Sequence, residues 1–537
     1  MTQKTGRLFV RKTLSDVRLD EGGMGLNRAL GPLQLTLLGI GCIIGAGVYV
    51  MTGVAAANYA GPAVVLSFAF AALSVVSTAL CYAELASSLP VSGASYTYAY
   101  AALGELAAWS LGWMLFLELG LAGAALAVGA AGYLLSLLQD FGIFVPAAVS
   151  TSFVQAIPAA HGLRFALGGG INLVAVGLVA IFAAVLIQGV SHSARLNAAM
   201  VAVKIGVLVM FIAFGASHVH AANWRPFIPP NLGGFSYGWP GVLRGASILF
   251  FAYLGFEAVA TAALEARNPQ RDIAIGILAS LTVATLLYIA VALTLTGLVP
   301  YRSLGVADPV AVAVEAIGWP ALTIVIKLGG LVGLCSVLMV NTYAHSRVCL
   351  AMSADGLLPS FFCRIHPRFR TPHLGTLAVA GVAALAAALL PISILGDLVS
   401  LGTGVVFLTV AVSTIWLRST QPDLPRPFRV PGGGVWINGL WIGLTPVLSI
   451  ILTIAMVGPV LADMIYKAAR GDVIPAAILV AYVLAGGAFY ALYGVRRSKL
   501  GQVWRDERAF GGAMTEPFPG PRAMNLDPRP KSPRQGT

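Results

Sequence analysis

Charge is what this sequence has least of: Asp, Glu, Lys and Arg make up 10% of its 537 residues, against 58% hydrophobic ones, with a mean hydropathy of +0.86. A soluble globule of that size cannot clothe its surface with so few polar groups, so lipid has to cover it. Cysteine is nearly absent too. The five residues Cys42, Cys81, Cys335, Cys349 and Cys363 fall in apolar runs or on the expected cytoplasmic side, which excludes a disulfide framework. They and the seven scattered histidines form no metal-ligand spacing, so no metal site is expected. No nucleophile–base pair, ligand set or phosphate loop lies within motif distance, which argues against an enzyme or a signalling receptor. The apolar runs do not alternate with polar residues as barrel strands would. No short apolar core with a cleavage-like site opens the chain, and the first apolar run is therefore expected to stay.

What is present is a series of twelve apolar runs of about twenty residues, each long enough to cross a hydrocarbon core of roughly 30 Å as a helix. They span 33–59, 62–85, 106–138, 168–188, 197–216, 241–264, 273–299, 319–346, 374–390, 394–417, 437–462 and 474–493. With the amino terminus inside, 25 of the 33 Lys and Arg residues fall on the cytoplasmic side. Only Arg164, Arg225, Arg302, Lys467 and Arg470 fall outside, while Lys204, Arg244 and Lys327 belong to the helices or lie beside them. Both termini are then cytoplasmic, as expected of a multi-pass protein of the inner or plasma membrane. The net charge of +12 is mostly this topology signal, with some attraction to anionic lipid and no nucleic-acid partner implied. The expected organisation is an amino-terminal arm (1–32), a core of ten spans (33–417), two further spans with the loop before them (418–498) and a disordered, Pro-rich tail (499–537).

Two spans break the pattern. The first reads Gly39-Ile40-Gly41-Cys42-Ile43-Ile44-Gly45-Ala46-Gly47, and glycine weakens a helix by up to about 1 kcal/mol per residue relative to alanine. The sixth reads Phe250-Phe251-Ala252-Tyr253-Leu254-Gly255-Phe256-Glu257, joining aromatics, a glycine and an intramembrane acid. Breaks five spans apart point to a carrier built from inverted repeats, with its site between them near the midplane. The alternative is close helix packing through small residues, a spacing that Gly41 and Gly45 satisfy.

These residues resemble the amino acid–polyamine–organocation transporters, and among them the cationic amino acid transporter family and its bacterial relatives. The resemblance runs over roughly residues 30–495. It takes in Gly39 to Gly53, Cys81-Tyr82-Ala83-Glu84, Pro90-Val91-Ser92-Gly93, Gly255-Phe256-Glu257, Asn268-Pro269-Gln270-Arg271-Asp272, Ala354-Asp355-Gly356-Leu357-Leu358-Pro359 and Pro422-Asp423-Leu424-Pro425-Arg426-Pro427-Phe428. It implies an all-α membrane protein of about twelve transmembrane helices, with a leucine-transporter-like 5+5 inverted repeat and discontinuous spans 1 and 6. The chain departs from the family at Glu257, where aspartate is usual, and at Met114, often an acid.

An amino acid presents a carboxylate beside an ammonium, and two opened helices can hold both through backbone. Freed N–H groups over Ile43, Ile44, Gly45, Ala46 and Gly47 would meet the carboxylate, helped by the half-helix dipole. Freed carbonyls around Phe251, Ala252 and Leu254 would accept from the ammonium. The resemblance implies that the Phe251 ring covers the substrate, though core packing explains the ring as well. Lys204 lies inside the fifth span, where a lysine costs at least ~2.5 kcal/mol unless it faces protein or water. By resemblance it replaces a sodium ion, its ammonium satisfying carbonyls freed at the first break and loosening them on losing a proton; otherwise it snorkels to the surface. Glu257 either joins Lys204 in coupling by stabilising the cationic first-helix region, or binds a side-chain cation, or makes a structural helix-end contact. Glu118 and Tyr253 are read as structural or gating, Asn341 as a pocket residue or a bridge between helices, Lys327 as snorkelling at the outer interface, and His345 as structural.

The function expected is proton-coupled symport of amino acids by alternating access, with the proton gradient as energy source and no cofactor. An amino acid or polyamine exchanger without net proton movement is the alternative. Cationic and small neutral substrates stay equally open. Membrane lipids are the other expected partner, and no motif specifies a small partner subunit.

Overall fold

The computed structural model describes residues 30–89, 94–159, 162–188, 193–369 and 371–502. The expected arm up to residue 29, the quoted motif at 90–93 and the tail from 503 lie outside the described residues.

Each apolar run contains helix. The first gives α1 (Pro32–Ile43), then an interruption, then a stretch of π and α turns from Gly47 to Ala60. There follow α2 (Val64–Ser88), the short α3 (Ala94–Ala102), α4 (Glu105–Asp140), α5 (Leu173–Gln188) and α6 (Ser193–Ala216). The sixth run splits into α7 (Gly238–Leu249), a 3-10 turn at Phe250–Tyr253 and α8 (Glu257–Thr261). The rest comprises α9 (Pro269–Leu298), α10 (Pro309–Glu315), α11 (Pro320–Ala354), α12 (His373–Leu389), α13 (Ile392–Thr420), α14 (Leu444–Ala469) and α15 (Ile474–Phe489). Proline opens α1, α9, α10 and α11, where its missing N–H costs no intrahelical bond.

Among the described residues, nine helical runs are long and apolar enough to cross a membrane, with Gly47–Ser88 counted as one, and Pro32–Ile43, Leu173–Gln188 and His373–Leu389 are shorter apolar helices. The strands among the described residues form two antiparallel hairpins, β1 (Val154–Ala159) with β2 (Gly162–Leu167) and β3 (Gly434–Ile437) with β4 (Leu440–Gly443). The all-α membrane class expected from the sequence is therefore the class observed. Two predicted spans begin too early. Residues 168–172 follow β2 as irregular chain, and the run read at 437–462 takes in half of the second hairpin, so that α14 starts at Leu444. Ile437, Leu440 and Trp441 are apolar enough to pass for a membrane entry. The overlooked signal is Asn438-Gly439, with φ of 50° and 79°, the pair that a tight hairpin turn selects.

Packing sorts the helices into two groups. α9 packs on α1 and α2, and α2 on α7, while α4, α5, α11 and α12 all pack on one another. These are runs 1, 2, 6 and 7 and runs 3, 4, 8 and 9 of the sequence, so members five apart share a group. α6 leans on α11 and α9, and α13 on α4 and α14.

Buried ion clusters tie the two ends. Arg244 of α7, fully buried, donates through Nη2 to both oxygens of Asp397 on α13 (2.7 and 2.6 Å) and through Nε to Asp463 on α14 (3.1 Å), which also accepts from Lys467 (2.9 Å). Toward the other end of α2, Glu84 accepts from Arg418 Nε (2.6 Å) and Nη2 (2.5 Å) and from the Val430 N–H (2.7 Å). Separately, Glu105 at the start of α4 accepts from Tyr100 (3.3 Å), from Tyr490 (3.1 Å) and from the Ser498 hydroxyl.

Candidate functional site

Both expected interruptions are present. α1 stops at Ile43 because Ile44 turns extended (φ −73°, ψ 97°), and winding resumes at Gly47. The sixth run opens at Leu254 (φ −55°, ψ 141°) and Gly255 (φ +108°) before α8 restarts. The left-handed φ at Gly255 suits glycine, and a Cβ there would sit 2.8 Å from the Cys42 carbonyl oxygen, so the break in one helix presses on the end of the other. On the other side of the contact, a Cβ on Gly47 would overlap that of Ala252. The two openings therefore meet face to face, and Ile43, Ile44, Ala46, Phe251 and Ala252 are buried there, with Leu254 half-buried. Of the N–H groups opening the Gly47–Met51 turn, that of Tyr49 donates to the Gly45 carbonyl (3.3 Å), which leaves those of Gly47 and Val48 without a backbone acceptor among the described residues.

Lys204 is fully buried on α6, and its ammonium donates to the Ile44 carbonyl at 3.0 Å and to that of Gly41. The amine thus sits on carbonyls at the end of α1 rather than snorkelling to a surface. Its own carbonyl accepts from the Tyr49 hydroxyl (3.2 Å), and Tyr133 of α4 donates to the Tyr49 carbonyl (2.9 Å).

The other candidates fall nearby in part. Glu257, at the first turn of α8, accepts from Tyr82 (3.3 Å). Glu118 of α4 is fully buried; its Oε1 accepts from Thr403 of α13 (2.9 Å), and its Oε2 has no hydrogen-bond partner among the described residues. Asn341 donates to the Leu119 carbonyl (2.7 Å), bridging α11 to α4. Tyr253 donates to the Phe68 carbonyl (3.2 Å), and His345 packs edge-on to Phe116. Lys327 departs from the expectation of a snorkelling lysine: it is 1% exposed and held by Asp140 (2.8 Å) and Glu315 (2.7 Å), because acids at the end of α4 and on α10 reach it first. A cavity of about 210 Å³ lies apart from the breaks, among Leu186, Tyr343, Arg347 and Thr376.

The sequence reading missed Tyr288, whose hydroxyl touches both breaks, and the Arg244 cluster. Tyr288 carries no sequence signal. Asp397, inside one apolar run, and Asp463, at the end of another, do, because an ion there demands a partner.

The family model described as amino acid permease matches residues 30–494. The branched-chain amino acid permease BcaP of Bacillus subtilis (strain 168) is 39% identical over 499 residues, covering 93% of this chain and 100% of that protein. The methylthioribose transporter of the same organism is 40% identical over 425 residues, 79% of this chain and 88% of that one. Cationic amino acid transporter 4 of Homo sapiens is 34% identical over 431 residues, 80% of this chain and 65% of the human protein. Matched along nearly all of its described length, and similar from end to end to a curated permease, this chain belongs to the amino acid permease family of the amino acid–polyamine–organocation superfamily.

Proposed function

We propose that this protein is a secondary active carrier, and not an enzyme, which takes up amino acids across the plasma membrane by alternating access in symport with protons. One observation carries the reading: two helices open opposite each other inside a membrane bundle, and a lysine ammonium sits on the carbonyls of one of them. An amino acid's carboxylate would take the N–H groups that open the Gly47–Met51 turn, and its ammonium the carbonyls around Ala252. Phe251 would close over it. Release of the Lys204 proton would free the Gly41 and Ile44 carbonyls and loosen α1, which links proton movement to opening. The names of the relatives support an amino acid as cargo, and the weight of Lys and Arg on one side supports cytoplasmic termini. The proton gradient supplies the energy, without a cofactor.

Purified protein in proteoliposomes tests this. Labelled amino acid should accumulate when the outside is made acidic, and a protonophore should abolish the accumulation. Uptake indifferent to the gradient but dependent on internal amino acid would make the protein an exchanger. No transport of any amino acid would end the carrier reading.

A substrate with a cationic side chain is favoured by one feature, the buried Glu118 oxygen without a hydrogen-bond partner among the described residues. A competition panel against a bound labelled amino acid decides it: lysine and arginine should displace the label better than alanine, leucine or valine.

A further inference from the structure

Tyr288 lies on α9, outside both interruptions, yet its hydroxyl is 2.8 Å from the Ile43 carbonyl oxygen and 2.9 Å from that of Ala252. The first carbonyl belongs to the end of α1 and the second to the turn before the Leu254 break, so one phenol spans the two openings. The side chain is fully buried, and its ring is wedged between Phe68 (5.2 Å between centroids) and Tyr253 (5.4 Å). Packing, not the hydroxyl alone, fixes where the oxygen sits.

A phenol has one proton, so it donates to one of these carbonyls at a time. Two buried acceptors thus share a single neutral donor. An ammonium has three protons and a full charge, and charge-assisted hydrogen bonds are roughly twice as strong as neutral ones. The Ala252 carbonyl is among those assigned above to the substrate ammonium, so the ammonium meets an oxygen that the hydroxyl already engages, and its stronger bond draws on the same acceptor.

We propose that the Tyr288 hydroxyl is a placeholder for the α-ammonium of the substrate, holding the two break carbonyls in the empty carrier and yielding them when an amino acid arrives. The inference rests on the reading of the breaks as an amino acid site. Its mechanistic consequence concerns the return step. A symporter must reorient empty after delivering its cargo, and to do so it has to close around a vacant site whose bare carbonyls would otherwise be buried without donors. The hydroxyl supplies the missing donor. An exchanger never makes that step, because its site is refilled before each return.

Tyr288→Phe removes the oxygen and keeps the ring contacts. In proteoliposomes, net pH-driven uptake by the variant should fall at least about tenfold, the order expected when buried carbonyls lose their donor. Exchange of labelled for internal amino acid, which needs no empty return, should stay within about twofold of wild type. The melting temperature should drop without substrate and recover with saturating amino acid. An equal loss of uptake and exchange, with melting lowered alike in both conditions, would reduce Tyr288 to a packing residue. Unchanged uptake would remove the placeholder role outright. Should the variant fail to survive purification, extraction in the presence of amino acid ought to rescue it, and failure of that rescue counts against the proposal. Wild-type protein that neither takes up nor exchanges any amino acid would overturn the site assignment itself, a result distinct from all of these.

Discussion

The ammonium of Lys204 donates to the carbonyl of Ile44, the extended residue that follows the end of α1, at 3.0 Å. A side chain from the fifth apolar run thereby completes the hydrogen bonding of the first. Lys204→Ala removes that donor while leaving both helices in place. Uptake driven by an acidic exterior should disappear, with the purified variant still monodisperse and still able to bind amino acid. Wild-type dependence of uptake on external pH in this variant would remove Lys204 from the coupling step.

Gly255→Ala places a methyl group against the Cys42 carbonyl in a left-handed conformation that alanine resists by about 1–2 kcal/mol. The contact between the two breaks has to give, so transport should fall by an order of magnitude or more and melting by several degrees. Gly206→Ala on α6 is the control, since nothing lies within 4 Å of its Cβ position and its backbone is ordinary helix. That variant should melt no lower than wild type, helix propensity favouring alanine by up to about 1 kcal/mol. Equal behaviour of the two variants in a thermal-shift assay would mean that the close approach at Gly255 is not tight in solution.

Arg244→Met leaves Asp397 and Asp463 buried with Lys467 as their remaining cation. Breaking a buried ion pair on one side typically costs about 3–5 kcal/mol, because the charge left behind loses its partner. The variant should express poorly or melt far below wild type. Adding Asp397→Asn should recover much of the loss. A single variant as stable as wild type would show that water reaches the cluster.

Glu118→Gln discriminates between substrate classes. With a cationic side chain bound near the unpartnered oxygen, the variant should bind lysine and arginine about 10–100-fold more weakly, the range for a hydrogen bond to a charged group. Binding of alanine should hardly change. A parallel drop for both would assign Glu118 to the α4–α13 contact through Thr403.

Much of this architecture is legible in one dimension because the bilayer imposes a strict rule, that apolar runs must wind. The two interruptions could be read from a run of glycines and from an aromatic–glycine–acid cluster, since each departs from what a plain membrane helix requires. Lys204 stood out as an ion where ions are expensive. Partnership was not legible. Arg244 meets residues 153 and 219 positions away, and Lys327 finds Asp140 at a separation of 187. Nothing in the chain near those residues announces which acid will arrive. Tyr288 is one of 16 tyrosines, distinguished only by the packing that aims it. The second hairpin was misread for the opposite reason, its aromatic and aliphatic residues carrying the hydropathy of a span without its length.

Glu105 also has a bearing on biogenesis. Two of its three hydroxyl donors, Tyr490 and Ser498, are synthesised 385 and 393 residues after it. A nascent chain therefore holds that carboxylate without two of its donors until translation is almost over, and completion of the joint is a late event in assembly.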